Sequence, residues 1–279
     1  MPTVLTAQHL VAFAAHLRAA ERSPATVEKY LRDARAFVAY ANGRPITKQK
    51  VIAYKHHLQA HYAARSVNAM LAALNSLFAF LGWHHLKVKA LKLQQQIFCP
   101  EEKELTKAEY TRLCRAAERR HNNRLSLILQ TVCGTGIRVS ELPFITVEAV
   151  KQGEAVVSCK AKTRSVFIVK ELKQKLLRYA AKQHIKSGMI FVTRTGKPVN
   201  RTNIWREMKA LCEAANVNPQ KVFPHNLRHL FARVFYSLEK DIAKLADVLG
   251  HASIETTRIY IISTGSEHRR KLEKMHLIL

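Results

Sequence analysis

The chain of 279 residues has little negative charge: 20 Asp and Glu residues stand against 46 Lys and Arg residues, giving a formal net charge of +26 at pH 7. The excess is spread along the chain, since residues 1–100 carry 13 basic and 3 acidic side chains and residues 101–279 carry 33 and 17. A basic tail on a neutral body is therefore excluded. A polyanion would relieve the self-repulsion, and nucleic acid is the leading candidate. A ribosome-associated or membrane-surface protein is the alternative that charge leaves open.

Cysteine pairs, apolar runs and an N-terminal leader are also missing. The cysteines number five, an odd count, are widely spaced and include no C-x-x-C, which argues against a disulfide framework and against a zinc site. The N-terminus lacks a basic region followed by an apolar core, and no stretch of 18 apolar residues occurs. Together these absences predict a soluble cytoplasmic chain of one or two domains.

Residues 1–87 are predicted to form a small helical bundle. Helices are expected to begin at Thr6, at Ser23-Pro24, at Thr47 and near Ala64, since each of the first three starts carries a capping residue. Residues 88–104 are polar, contain Pro100 and show no sustained apolar period, so they are interpreted as a linker. Residues 105–279 then form the second domain.

The second domain is predicted to be mostly helical with one β-hairpin. The hairpin strands are Ala155–Cys159 and Ser165–Val169, separated by a basic tip, and a third short strand is Met189–Val192. The fold class is therefore mainly α with a small antiparallel β-sheet. Helices are predicted over Lys107–Ala117, Arg124–Cys133, Glu171–Gln183, Asn203–Ala215, Asn226–Leu238, Ile242–Leu249 and Ser253–Ile262, and an amphipathic tail over Glu267–Leu279.

Four places in this domain carry side chains suited to a phosphodiester. Arg138 follows a glycine-terminated helix in Gly134–Leu142, where its guanidinium could bind a phosphate with two nitrogens. His225 and Arg228 are three residues apart and so share a helix face, where one could move a proton while the other holds an oxygen. A surface arginine and an ordinary basic helix start are the plainer explanations.

The other two places are a tyrosine and a lysine. Tyr260 follows the Leu249-Gly250-His251 corner by nine residues, and Lys160 or Lys162 lies at the hairpin tip. A lone tyrosine on an apolar helix is more often a core residue, and a basic tip is usually just solvated. The ordered combination of all four places, rather than any one of them, indicates a nucleophile, a proton donor and surrounding cations.

In this order the motifs resemble the tyrosine recombinases, the phage-integrase-type site-specific recombinases. The resemblance covers nearly the whole chain. It rests on the segments Ser23–Tyr30 with Phe37, Gly134-Thr135-Gly136-Ile137-Arg138-Val139-Ser140-Glu141-Leu142, His225-Asn226-Leu227-Arg228-His229, and Leu249-Gly250-His251 with Tyr260. It implies an N-terminal SAM-like core-binding bundle followed by an α+β catalytic domain. Asn226 departs from the family pattern, in which Asp is common, and we expect little effect from this.

The resemblance also implies a catalytic set and a reaction. Arg138 and Arg228 would clamp the scissile phosphate, His251 would stabilise the transition state, and His225 would assist proton transfer. Tyr260 would attack to form a 3′-phosphotyrosyl link, and Lys160, preferred over Lys162, would protonate the departing 5′ oxygen. His229 is interpreted as structural support. The family needs neither metal nor ATP, and the sequence carries no Walker-type motif and no acidic cluster suited to Mg²⁺.

The implied partner is double-stranded DNA, held between the two domains as in a C-shaped clamp. Predicted DNA contacts are Lys29, Arg65, Ser66, Lys162, Arg164 and Arg201. The apolar tail is expected to dock on a neighbouring protomer, which implies a homo-oligomer on DNA and a tetramer in the synapse.

Two other classes compete with this interpretation. A non-catalytic DNA-binding protein would need no tyrosine nucleophile, and a type IB topoisomerase would share the chemistry but relax DNA as a monomer. The helical N-terminal domain and the apolar tail favour a recombinase for integration and excision or for resolution. With no further domain before the core-binding helices, an Xer-like or mobile-element enzyme is expected.

Overall fold

The structure is a computed structural model that describes residues 4–93, 101–159, 162–261, 269–270 and 273–275, with the backbone alone at 101, 159 and 162. The chain divides into two compact units, Met1–Gln95 and Gln96–Leu279. The mainly helical fold with one small antiparallel sheet is as predicted.

The described part of the N-terminal unit is built from four α-helices, the first three of which begin at a capping residue. They are α1 (Ala7–Ala19), α2 (Pro24–Ala41), α3 (Lys48–His61) and α4 (Ala64–Phe80). The side chains of Thr6, Ser23 and Thr47 each accept a hydrogen bond from a first-turn backbone N–H, and Pro24 occupies the first helical position. These contacts confirm the predicted starts of the first three helices.

The core of this unit holds the chain beyond α4 as well as the helices. Phe13, Phe37 and Phe78 are fully buried between the helices. Leu86 and Val88 are buried in the same core. The Asn75 side-chain amide exchanges two hydrogen bonds with the backbone of Val88, at 2.8 and 3.0 Å. Asn68 on α4 does the same with Leu91, so the beginning of the predicted linker is packed against α4.

The C-terminal unit contains nine α-helices and one hairpin within its described residues. The helices are α5 (Lys107–Arg119), α6 (Asn123–Thr135), α7 (Val147–Gln152), α8 (Lys170–Lys182), α9 (Arg201–Ala210), α10 (Cys212–Ala215), α11 (Pro224–Glu239), α12 (Ile242–Leu249) and α13 (Ile254–Arg258). The hairpin strands are β1 (Glu154–Cys159) and β2 (Lys162–Phe167). Most of its helices and the hairpin share one large apolar core. A second, smaller cluster is formed by Ala232 of α11, Leu245 and Leu249 of α12, and Tyr260.

The hairpin differs from the prediction in where its second strand begins. The two strands pair in register from Glu154 with Phe167 to Cys159 with Lys162. The predicted tip, 160–164, therefore loses its last three residues to β2. Lys162 and Arg164 are charged, and their charge made this segment resemble a solvent-exposed tip in the sequence. The two-residue alternation of the strand nevertheless continues through them. The strand predicted at Met189–Val192 is reduced to isolated bridges from Thr146 to Met189 and from Val192 to Pro198.

Gly136 ends α6 and leads into a 3-10 helical turn over Val139–Phe144. It caps α6 with a left-handed backbone, φ +67°, and the start of the following turn carries Arg138. A Cβ at this position would lie 2.4 Å from a ring carbon of Phe231 on α11. Glycine is therefore needed here both for its backbone conformation and for the close approach of α11.

We predict that Gly136→Ala destabilises the C-terminal unit by at least about 2 kcal/mol, since overpacking adds to the left-handed strain. The matched control is Gly196→Ala, because Gly196 has a similar φ of +74° with nothing within 4 Å of the added Cβ. Urea denaturation of both variants measures the difference. Equal losses would show that Phe231 does not constrain this position.

Candidate active site

Three corners of the C-terminal unit bring the predicted catalytic side chains together. One follows α6 and carries Arg138, the second is the first two turns of α11, and the third is the corner between α12 and α13. Glycine ends the helix at the first and third corners, with left-handed backbone at Gly136 and Gly250. Because each side chain starts from a helix end, its backbone position is well defined.

Arg138 is held at its corner by Glu141. The Nη1 of Arg138 donates to Oε1 of Glu141 at 2.9 Å, and its backbone N–H donates to Oε2 at 2.7 Å. The carboxylate is 2% exposed, whereas the Arg138 side chain is 37% exposed. Arg138 is therefore anchored through one guanidinium nitrogen while part of its side chain faces solvent.

Arg228 is buried in the middle of the site, with 1% of its surface exposed. Its guanidinium donates to the carbonyl oxygen of Gly136, and to that of Leu249 at 2.7 Å. Its Nη2 also lies 2.9 Å from Nε2 of His251. Burial, followed by the charge of Arg138, lowers the pKa of Arg228 to about 10, so it stays protonated at neutral pH.

The hydrogen bonds of His251 define its tautomer. A guanidinium can only donate, so Nε2 of His251 accepts from Arg228. The proton of a neutral imidazole then lies on Nδ1, which donates to the hydroxyl of Thr257 at 2.9 Å. Thr257 is fully buried on α13. This helix therefore orients the imidazole that the preceding corner supplies.

Tyr260 lies at the centre of a ring of cationic and imidazole groups. Its ring stacks on that of His229 at 4.3 Å and 27° and lies 5.2 Å from that of His251. The Tyr260 hydroxyl is 3.3 Å from Nε2 of His225, and the guanidinium carbon of Arg228 is 5.9 Å from the Tyr260 ring centre. Tyr260 was predicted within a helix, but α13 ends at Arg258, and Tyr260 follows in a turn.

The three histidines around Tyr260 all favour the neutral form. Burial and then the charge of Arg228 lower the pKa of His225 and lower that of His251 to about 4. Burial, followed by His225 and Arg228, lowers the pKa of His229 to about 4. At neutral pH the site therefore presents uncharged imidazoles beside charged guanidinium groups.

The lysine and the predicted DNA contacts are placed as follows. Lys160 lies outside the described residues, and Lys162 begins β2, described by its backbone alone. Arg65, Ser66 and Arg201 are exposed in the first turns of α4 and α9. Lys29 donates to Asp33 at 2.7 Å and to the Ala69 carbonyl at 3.1 Å, and Arg164 is bound to Glu141. Most of the predicted tail also lies outside the described residues.

Glu141 and Thr257 were not predicted as site residues, and His229 was interpreted only as support. Glu141 follows Arg138 by three residues at the start of a turn, and this Arg-x-x-Glu spacing is a signal that could have identified the pair. Thr257 gave no such signal. Its hydroxyl contacts His251 only because the turn between α12 and α13 folds back, and no residue spacing in the sequence indicates that contact. No cluster of His, Cys, Asp and Glu suited to a metal occurs in the described part of the chain. No helix there is long and apolar enough to cross a membrane.

Acidification should destabilise this unit through His229. The pKa of His229 is about 4 in the folded chain, below its ordinary value near 6.5. Between about pH 4 and pH 6.5 the unfolded chain therefore binds more protons than the folded chain. Stability is therefore full above about pH 6.5 and falls as pH drops toward about 4. We predict that His229→Phe, which keeps a stacking ring, reduces the loss in urea midpoint between about pH 7 and pH 5. His56→Phe, on an exposed face of α3, is the control. An unchanged pH dependence in His229→Phe would contradict this assignment.

Family models match both units of the chain. The model of the phage integrase family matches residues 103–267, and that of the phage integrase N-terminal SAM-like domain matches residues 10–85. The first match alone covers more than half of the chain and includes the three corners of the candidate site.

The chain is also similar to curated relatives over nearly its whole length, and it shares its fold with solved structures. The chain is 26% identical to tyrosine recombinase XerD of Halalkalibacterium halodurans, over 94% of this chain and 95% of the relative. It is 29% identical to tyrosine recombinase XerA of Pyrococcus horikoshii, over 99% and 96%. A lambda integrase tetramer bound to a Holliday junction shares the fold, with TM-score 0.75 and 18% identity over 93% of this chain and 77% of that one. The chain belongs to the phage integrase family and is a tyrosine recombinase.

Proposed function

We propose that this chain cleaves and rejoins double-stranded DNA at a specific site through a covalent bond between Tyr260 and a 3′ phosphate. The observation that carries the proposal is the position of the Tyr260 hydroxyl, 3.3 Å from a neutral imidazole and beside a buried guanidinium. A core tyrosine would need one hydrogen-bond partner, whereas this ring is surrounded by three imidazoles and Arg228.

The charge balance of the site favours a phosphodiester. Among the described residues, the guanidinium groups of Arg138, Arg164 and Arg228 are joined by hydrogen bonds to a single carboxylate, Glu141, or to neutral partners. The cluster therefore carries a net positive charge without a ligand. A phosphate diester would supply one negative charge, and the second that develops during attack would be stabilised where the cations already lie.

Proton transfer follows from the neutral histidines. Nε2 of His225 would accept the hydroxyl proton of Tyr260 as the phenolic oxygen attacks phosphorus. The bond from phosphorus to the 5′ oxygen breaks, and Lys160 would give that oxygen its proton. Arg138 and Arg228 would hold the non-bridging oxygens, with His251 beside them. Rejoining is the same step reversed, with a 5′ hydroxyl attacking the phosphotyrosine, so no external energy source is needed.

Binding of the duplex would use both units. Arg65 and Ser66 in the first unit and Arg201 in the second are exposed candidates for phosphate contacts. Lys162 is a fourth candidate, on the grounds of its charge and its place in the sequence. A contact by Lys29 stays a prediction. A contact by Arg164 also stays a prediction, but its two hydrogen bonds to Glu141 favour a different role. The solved lambda integrase complexes include a dimer on a core site and a tetramer on a Holliday junction. We extend that assembly to this chain, as a tetramer in the synapse acting on DNA in the cytoplasm.

The nucleophile is tested by Tyr260→Phe. A duplex selected from a random pool by its affinity for the chain supplies the site. A series of nicks, each placed shortly downstream of a candidate cleavage position, traps cleavage because the short fragment that carries the new 5′ hydroxyl is released. Wild type should form a covalent protein–DNA adduct with a 3′-phosphate link. Tyr260→Phe should lower adduct formation at least about 1,000-fold while duplex affinity stays within about threefold. An adduct formed by the variant would remove Tyr260 as nucleophile.

The lysine is tested with a leaving group that needs no proton. A thiol has a pKa near 8.5, far below that of an alcohol, so sulfur in place of the bridging 5′ oxygen departs unprotonated. Lys160→Ala should cleave the normal site at least about 100-fold more slowly and recover most of that loss on the sulfur-containing site. Lys162→Ala, two residues away, should weaken binding without such a recovery at saturating protein. The reverse pattern would assign the acid to Lys162.

A further inference from the structure

Arg164 is bound internally although it lies on an exposed hairpin. It stands on β2 opposite Val157 of β1, and its side chain is 13% exposed. Nη2 donates to Oε2 of Glu141 at 2.7 Å, and Nη1 donates to Oε1 at 3.1 Å. This two-nitrogen geometry is the strongest form of an arginine–carboxylate pair. The hairpin is thereby attached to the turn that carries Arg138.

Glu141 binds both arginines at once. Oε1 accepts from Nη1 of Arg138 as well as from Nη1 of Arg164, and Oε2 accepts from the Arg138 backbone and from Nη2 of Arg164. Burial alone would raise the pKa of the Glu141 carboxyl, but hydrogen bonds from Arg164 and Arg138 outweigh it and keep that pKa below its ordinary value. The carboxylate is therefore charged and fully occupied.

The stem of Arg164 covers the third corner of the site. A Cβ on Gly250 would lie 2.6 Å from Cδ of Arg164 and 3.1 Å from its Nη1. Gly250 immediately precedes His251. One side chain on β2 thus contacts both the carboxylate that anchors Arg138 and the backbone that presents His251.

We propose that Arg164 is a positioning residue for strand cleavage, which keeps Arg138 available to the phosphate by occupying both oxygens of Glu141. This inference rests on the proposed function. With Arg164 present, Arg138 uses one guanidinium nitrogen on Glu141, and its other nitrogens can reach a ligand. Without Arg164, a buried and charged carboxylate would take Arg138 with two nitrogens and turn it away from the phosphate.

A direct DNA contact is the competing role for Arg164. Its two terminal nitrogens already bind Glu141, and its Nε is buried without a hydrogen-bond partner in the described part of the chain. Arg138 is much more exposed than Arg164, 37% against 13%. The geometry therefore gives the two arginines different roles. Arg138 is open to solvent and can bind a ligand, whereas Arg164 fixes the position of Arg138 through Glu141.

The test compares Arg164→Met with wild type at saturating protein, where adduct formation reports chemistry rather than affinity. We expect a loss of about 100-fold in the cleavage rate with duplex affinity within about threefold of wild type. Arg164→Lys should fall between them, since it keeps the charge but not the fork. A loss confined to affinity would make Arg164 a DNA contact and overturn the proposal, as would an unchanged cleavage rate.

A double-mutant cycle distinguishes positioning from general damage. If Arg164 acts through Arg138, adding Arg164→Met to Arg138→Ala should cost less than about fivefold more. Additive losses would mean that Arg164 does not act through Arg138. If Arg164→Met alone fails to fold, the cycle is run in a Glu141→Gln background, where no uncompensated carboxylate remains. In that background the proposal requires Arg164→Met to change the cleavage rate by less than about threefold.

The matched control is Arg124→Met. Arg124 also pairs with a glutamate, Glu207, at 3.0 Å, and its Nε is likewise buried without a partner among the described residues. It lies on α6 away from the three corners and should leave the cleavage rate unchanged. Wild-type adduct formation and its loss in Tyr260→Phe are established first. Failure of the Arg164 proposal then leaves the proposed function intact.

Discussion

The geometry of the site depends on the buried guanidinium of Arg228. A fixed cation at this depth is costly to bury unless its donors are satisfied. Here the two terminal nitrogens have partners: backbone carbonyl oxygens at two helix ends, Gly136 after α6 and Leu249 at the end of α12, together with His251. Nε is buried without a partner among the described residues. Helix ends carry partial negative charge on unpaired carbonyls, so they stabilise the cation without cancelling its charge. The same contacts hold the corners of Arg138 and His251 at fixed distances.

A site built this way is positively charged before a ligand binds, so the fold must stabilise the guanidinium groups without neutralising them all. Neutral carbonyls around Arg228 and one shared carboxylate between Arg138 and Arg164 achieve this. Burial lowers the pKa of the nearby histidines first, and the charges of Arg228 and Arg138 lower it further, because an added proton would meet two guanidinium groups. The uncharged imidazoles can then accept protons, which a histidinium could not. Preorganised charge and neutral bases are thus two results of one arrangement.

Much of this was visible in the sequence. Capping residues at Thr6, Ser23 and Thr47 predicted helix starts because N-cap chemistry is local. The ordered motifs around Arg138, Arg228 and Tyr260 identified the residues that converge. Pairing across the hairpin was harder to predict, since charged residues such as Lys162 and Arg164 conceal strand alternation. The role of Arg164 could not be predicted, because it depends on a contact with Glu141, 23 residues away in the chain.

Asn226, which stands where Asp is common in the family, makes contacts that explain the amide at this position. Its side-chain amide donates to the carbonyl oxygens of Lys103 at 2.8 Å and Lys221 at 2.7 Å, and the residue is 5% exposed. Both partners accept, so an ionised aspartate could satisfy neither and would bury a charge against two oxygens. The amide instead anchors the first turn of α11, which carries His225. The expectation that the departure from Asp has little effect stays a prediction. The contacts of the amide concern the backbone that carries His225 beside Tyr260, and they do not involve the reacting atoms.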